Sequence, residues 1–399
     1  MEPPTLTPAA TAAATPSPDP QHIAPAYIID GDGVVSVWNL ETGLASAVAR
    51  LPIGHQHALS PDGRRLIWFG EDEIGLADLQ TGSITSSAPL EFQAGLFPET
   101  GLHWRSNGVD AYFESNLPGL SPPQPVIFRT NVQSDTTTIV AQGVGPAPSP
   151  DGQTLAFAGA PFDYASPWGG GPGGILTLAL PDGTQTRPVS GTATFYPGWQ
   201  PVVWSADNTH VAAGESVVHA ADGTLAWKVP EAEKQFLATI TWLAPDGRSA
   251  LVWRILRYTS PGQDDPGTFD EADEFALVHD DGSEQLLVRS PGEMCPCTPI
   301  VPTVWVAVAP DGQHALVSGS VENESNTGLW SMTLTDGHMQ MVTNIDGVQQ
   351  VPLTPLWSPD GRYALLGGGA NGVLETWAIG FDGSTPVRVG VGTPLGWAR

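Results

Sequence analysis

The sequence predicts an all-β fold: a β-propeller of eight four-stranded blades, with seven as the alternative count. Three observations predict it. Gly (46) and Pro (39) are abundant among the 399 residues, and both penalise helix interiors. A Ser/Ala-Pro-Asp-Gly turn flanked by apolar strands recurs along the chain. A second, Asp-Gly-type turn alternates with it at a spacing that suits four strands per repeat.

The first turn appears as Ser60-Pro61-Asp62-Gly63, Ser149-Pro150-Asp151-Gly152, Ala244-Pro245-Asp246-Gly247, Ala309-Pro310-Asp311-Gly312 and Ser358-Pro359-Asp360-Gly361. Looser copies are Arg105-Ser106-Asn107-Gly108 and Ser205-Ala206-Asp207-Asn208. Pro sets φ, Asp bonds its own backbone, and Gly or Asn takes the positive φ that closes a hairpin. The second turn includes Glu41-Thr42-Gly43, Gln80-Thr81-Gly82, Gln133-Ser134-Asp135, Pro181-Asp182-Gly183, Ala221-Asp222-Gly223, Asp280-Asp281-Gly282, Thr335-Asp336-Gly337 and Phe381-Asp382-Gly383. The repeat is therefore strand A, first turn, strand B, loop, strand C, second turn, strand D.

Seven first turns stand against eight second turns, and the termini resolve the mismatch. Pro394-Leu395-Gly396-Trp397 reads as a strand A, while Ala26 to Arg50 supplies strands B, C and D. Joining them closes the ring and removes its exposed edges. Residues 26–399 then divide into blades of about 47 residues.

The turn, its following apolar strand and the later apolar-Trp strand resemble the TolB-like, or WD40-like (PD40-type), propeller repeat over 26–399. In that family the turn residues are structural. The resemblance extends to periplasmic TolB proteins, propeller domains of prolyl-oligopeptidase-type peptidases and oligogalacturonate lyases, so it implies a fold more than an activity. A TolB protein proper carries a folded N-terminal domain, and a propeller peptidase an α/β-hydrolase domain with a G-x-S-x-G elbow. Neither pattern is present here.

Residues 1–25 are mostly Pro, Thr, Ala and Ser and read as an extended spacer. Such spacers follow the cleaved signal or lipidated cysteine of exported bacterial proteins. The expected location is therefore extracytoplasmic (periplasmic, secreted or tethered to the cell surface), with a lipid anchor upstream as one arrangement. The formal charge of −27 repels phosphate, which argues against nucleic acid and anionic lipid as partners.

In the propeller topology the A–B and C–D turns share one face, and the B–C and D–A loops share the other. The long segments all fall in the second class: 115–125, 160–174, 258–274 and 320–327 between B and C, and 91–101, 191–200 and 290–303 between D and A. Loops that cost folding entropy concentrate function, so this face is the expected binding surface. Two of its loops are aromatic. Phe162, Tyr164 and Trp168 lie in one, and Phe195, Tyr196 and Trp199 in the other. Such side chains suit a peptide or glycan, or they pack on each other to order their loops.

Other candidates are metal or redox sites. Cys295 and Cys297, the only cysteines, form a loop disulfide, remain free thiols, or hold a soft ion such as copper with Met294. Asp264, Asp265, Asp270, Glu271, Asp273 and Glu274 read as a solvated acidic loop, with calcium as the alternative. His55 and His57 enter one strand A, and His103 enters the next. The resemblance to oligogalacturonate lyases implies that such histidines could bind a metal. No catalytic residue is assigned and no cofactor is required. The expected function is a non-catalytic scaffold for a protein or glycan, the alternative being a metal-dependent polysaccharide lyase or hydrolase.

Overall fold

The computed structural model describes residues 23–52, 56–69, 74–87, 102–116, 125–159, 175–179, 185–186, 201–233, 235–258, 270–290, 293–294, 304–319, 328–343, 355–368, 373–381 and 385–398. All regular elements among them are strands.

Unit I holds β1 (Ala26–Ile29), β2 (Val34–Asn39) and β3 (Leu44–Arg50). Unit II is β4 (Gln56–Leu59), β5 (Arg65–Phe69), β6 (Ile74–Asp78) and β7 (Ile84–Ser87). Unit III is β8 (His103–Trp104), β9 (Asp110–Asn116), β10 (Pro125–Asn131) and the first half of β11 (Thr136–Pro148). Unit IV takes the second half of β11, then β12 (Thr154–Gly159), β13 (Ile175–Ala179) and β14 (Gln185–Thr186). Unit V is β15 (Val203–Trp204), β16 (His210–Ala213), β17 (Ser216–His219) and β18 (Leu225–Lys228). Unit VI is β19 (Gln235–Leu243), β20 (Ser249–Tyr258), β21 (Asp270–His279) and β22 (Glu284–Arg289), with β23 (Glu293–Met294) added beside β21. Unit VII is β24 (Val304–Val308), β25 (His314–Gly319), β26 (Gly328–Thr333) and β27 (Met339–Thr343). Unit VIII is β28 (Leu356–Trp357), β29 (Tyr363–Gly368), β30 (Glu375–Gly380) and β31 (Val387–Val391). The last strand, β32 (Thr393–Trp397), returns to unit I.

Both numbers weighed from the sequence have a counterpart. The ladders form seven continuous sheets, one of them seven-stranded. That sheet contains two four-strand units. Thr136–Gln142 of β11 pairs with β10, and the stretch from Gly143 to Pro148 pairs with β12. Seven sheets thus carry eight four-strand units. Apolar packing follows the units: a separate buried cluster fills each junction, from Tyr27, Val35, Leu66 and Trp68 between I and II to Ile28, Leu365, Ala378 and Trp397 between VIII and I.

Closure is the expected one. β32 pairs antiparallel with β1, placing Ala26 opposite Trp397, so unit I takes its strand A from the C-terminus. Strands B are nearly continuous apolar runs, such as Leu66-Ile67-Trp68 and Ala111-Tyr112-Phe113, because neighbouring units cover both of their faces. Strands A of neighbouring units approach one another, β4 next to β8 and β28 next to β32, and so line the axis. Strands D form the rim, where Leu44, Leu225 and Val387 are exposed.

Three boundaries differ from expectation. Ile23 and Ala24 pack against the closing cluster, and Ala398 N donates to Pro25 O, so the end of the 1–25 spacer belongs to the ring. Asp270 to Glu274 belong to β21, not to a solvated loop, because β20 and β21 stay in register as far as Tyr258 opposite Asp270. Glu293 and Met294, expected within a loop, pair with Glu271 and Asp270. The other acidic residues of that loop, Asp264 and Asp265, lie outside the described residues.

Candidate functional site

The two faces are built differently. On the turn face, one device recurs. Ser60 Oγ donates to Asp62 Oδ1 at 2.6 Å and accepts from Arg65 N at 2.9 Å. Ser149, Ser205 and Ser358 do the same with Asp151, Asp207 and Asp360. The serine is buried, which the sequence reading missed. Its recurrence as the first turn letter was the available signal. Asn208, with φ +63°, replaces the turn glycine as expected.

On the loop face, the described connections are short. Asp30 Oδ1 accepts from Asp32 N and Val34 N at 2.9 Å each, which fixes the B–C turn of unit I. That turn borders a groove of about 480 Å³ between β2 and β31. Ile28, Val34 and Trp38 supply its apolar wall, with Asp32 and Arg388 as charged lining residues. Arg388 is already paired with Glu375 at 2.7 Å.

At the junction of units V and VI, charge is buried rather than solvated. Arg254, 1% exposed, donates to Glu274 at 3.2 Å and to Glu284 at 2.6 Å. Arg289 reaches the other oxygen of Glu274 at 2.5 Å. On the opposite side of β21, Asp273 accepts from Trp253 Nε1 at 2.8 Å. The two arginines neutralise Glu274, since a buried carboxylate needs a partner of opposite charge, and the indole N–H gives Asp273 a hydrogen-bond donor.

Among the expected site residues, His57 and His103 are described. They lie on β4 and β8, neighbouring strands lining the axis. Phe162, Tyr164, Trp168, Phe195, Tyr196, Trp199, His55, Cys295 and Cys297 lie outside the described residues. Among the described residues, no three His, Cys, Asp or Glu side chains converge as a metal-ligand set. The described residues therefore do not supply the donor set that a lyase-type metal centre needs. No described helix is long and apolar enough to cross a membrane.

No family model and no curated protein matches the chain in sequence. Solved structures match it in fold. The dihydro-heme d1 dehydrogenase NirN in complex with DHE superposes with TM-score 0.53 at 15% identity, covering 96% of this chain and 77% of that one. A eukaryotic initiation factor gives 0.51 at 10% identity, covering 94% and 98%. An oligogalacturonate lyase in complex with manganese gives 0.50 at 14% identity, covering 87% and 82%. Such different activities at such low identity share an architecture and nothing narrower. The chain is a β-propeller in fold.

Proposed function

We propose that the protein is an exported, non-catalytic binding scaffold that recognises a protein or glycan through its loop face. The supporting observation is the asymmetry between the faces. The turn face spends its polar side chains on closing its own hairpins, as Ser60, Ser149, Ser205 and Ser358 do. The repeat order in the sequence assigns the long connections to the other face, and they carry the aromatic candidates Phe162, Tyr164, Trp168, Phe195, Tyr196 and Trp199. Tyr and Trp make wide, stiff contacts at low entropic cost, which suits sugar rings and peptide backbones. The Pro/Thr/Ala-rich segment before the ring fits a spacer that holds it away from an envelope, with a lipid anchor upstream as one form of tether. The charge of −27 favours neutral or cationic ligands over nucleic acid.

The test is a glycan and peptide binding screen, followed by Trp168→Ala with Trp199→Ala on any ligand found. Binding is expected to weaken at least about tenfold, since ~1.4 kcal/mol is one decade. The melting temperature should hold. A lower melting temperature with unchanged binding would show that the aromatics only order their own loops.

A second reading is a metal-dependent lyase or hydrolase acting on a polysaccharide. It is favoured by His57 and His103 on neighbouring axial strands and by the fold shared with the manganese-bound oligogalacturonate lyase. Manganese-dependent cleavage of a polyuronate by the purified protein, lost on His57→Ala, would establish it in place of the scaffold.

A further inference from the structure

Four of the nine histidines, His210, His219, His279 and His314, sit where strands B begin or strands C end in units V to VII, and a fifth, His338, immediately precedes strand D of unit VII, all on the turn face. Two of them meet. His210 opens β16 and His219 closes β17, and the two are direct cross-strand partners. Directly opposed residues project from the same side of a sheet. Their rings stand 4.8 Å apart between centroids, tilted by 45°.

The hydrogen bonds around His210 decide its tautomer. Thr209 Oγ1 donates its single proton to Asp207 Oδ1 at 2.7 Å. Toward His210 Nδ1, 2.7 Å away, the same oxygen can then only accept. Nδ1 therefore carries the proton, and Nε2 carries the lone pair. A carboxylate-anchored group that holds one ring nitrogen of a histidine is the usual support of a metal-ligating imidazole. The His210 ring is also fixed from behind. It packs so closely on Gly247 of unit VI that a Cβ there would come within 2.2 Å of Nδ1. Burial, and secondarily the nearby His219, hold the His210 pKa below its ordinary value against the opposing pull of Asp207 and Asp246.

We propose that His210 and His219 form a two-histidine site for a divalent transition-metal ion of the zinc, copper or nickel type. His210 Nε2 is the oriented ligand. His219 is exposed and turns its imidazole to complete the pair, with water in the remaining positions. Two imidazoles select borderline ions over magnesium, calcium or manganese, which favour oxygen. Asp207 and Asp246 add negative field to the site without being required as ligands. The site lies on the turn face, so it is independent of loop-face binding and of the axial histidines.

The experiment uses the full chain with Cys295 and Cys297 alkylated, titrated with Zn²⁺ by calorimetry and with Cu²⁺ by electron paramagnetic resonance. Wild type is expected to bind one equivalent that is lost in His210→Ala with His219→Ala. The spectrum should show nitrogen coupling that disappears in the same variant. Thr209→Val, which removes the acceptor for Nδ1 together with the hydroxyl that links it to Asp207, should weaken binding by about tenfold or more. Ca²⁺ should not compete. His219→Ala alone keeps the test valid if replacing His210 perturbs its packing on Gly247, because His219 is at the surface. An unchanged stoichiometry in the double variant, or competition by Ca²⁺, overturns the site. Equal binding by Thr209→Val and wild type overturns the assigned tautomer and with it His210 as the oriented ligand.

Discussion

Single residues decide the turn chemistry. In Ser149-Pro150-Asp151-Gly152, the Asp151 carboxylate accepts from Ser149 Oγ and from Gln153 N. These bonds hold its pKa below the usual carboxylate range, with burial opposing them. For Asp62 and Asp207 burial is the largest influence and raises the pKa, yet the combined hydrogen bonds and nearby positive charges leave both lowered. A lowered folded pKa means that the unfolded chain binds the proton more readily. The stability these groups add is therefore complete above the unfolded value of about 3.9 and is lost as pH falls through the folded one. Replacing all three by Asn should lower the urea midpoint at pH 6. It should also flatten its decline between pH 6 and pH 3. A decline as steep as in wild type would show that the turns do not carry the acid sensitivity.

At the scale of elements, tryptophans fasten one inner strand to the next. Trp104 Nε1 donates to Ala58 O, Trp204 Nε1 to Ala147 O and Trp397 Nε1 to Leu356 O. In each case the indole at the end of a strand A reaches a carbonyl of the preceding unit's strand A. The recurrence before the first turn is thus a hydrogen-bonded latch as well as apolar packing. Trp204→Phe keeps most of the buried ring and removes the 2.8 Å bond. The expected loss is about 1 kcal/mol in unfolding free energy, measured by urea denaturation. No loss would mean that Ala147 O finds water instead. Strand β11 shows the opposite economy: one continuous strand serves as D of unit III and A of unit IV. A register shift between Val144 and Ala147 and positive φ at Gly143 and Gly145 let it turn from one unit into the next.

For the whole molecule, the ring depends on seven C-terminal residues. β32 closes unit I against β1, and Leu395 and Trp397 fill two of the junction clusters. Removing Thr393 to Arg399 leaves the ladder edge of β1 and both apolar surfaces uncovered. The truncated protein is expected to melt lower and to self-associate on size-exclusion chromatography. An unchanged melting temperature with a single monomeric species would contradict closure by β32. The rim stays exposed in the intact ring, with Leu44 at 70% and Leu225 at 58% accessibility on outer strands. A charge of −27 gives mutual repulsion that opposes edge-to-edge pairing of such strands.

The repeat, the strand order and the terminal closure were all legible in the sequence, because Pro-Asp-Gly chemistry is local. A turn that needs a fixed φ, a capping carboxylate and a positive φ writes itself into four consecutive letters. Side-chain pairing across units left no such mark. Asp273 and Glu274 read as part of a solvated acidic loop, and only the neighbouring strands β20 and β22 showed the Arg254 and Arg289 that pair with Glu274 and the Trp253 that donates to Asp273. His210 and His219 stand nine positions apart with nothing to link them until β16 and β17 oppose them. The seven sheets and eight units likewise depended on whether the ladder breaks after Gln142, where β11 changes partner from β10 to β12 and continues as one strand. Local backbone demands are encoded by neighbours in the chain, whereas contacts between distant residues exist only once the ring has brought them together.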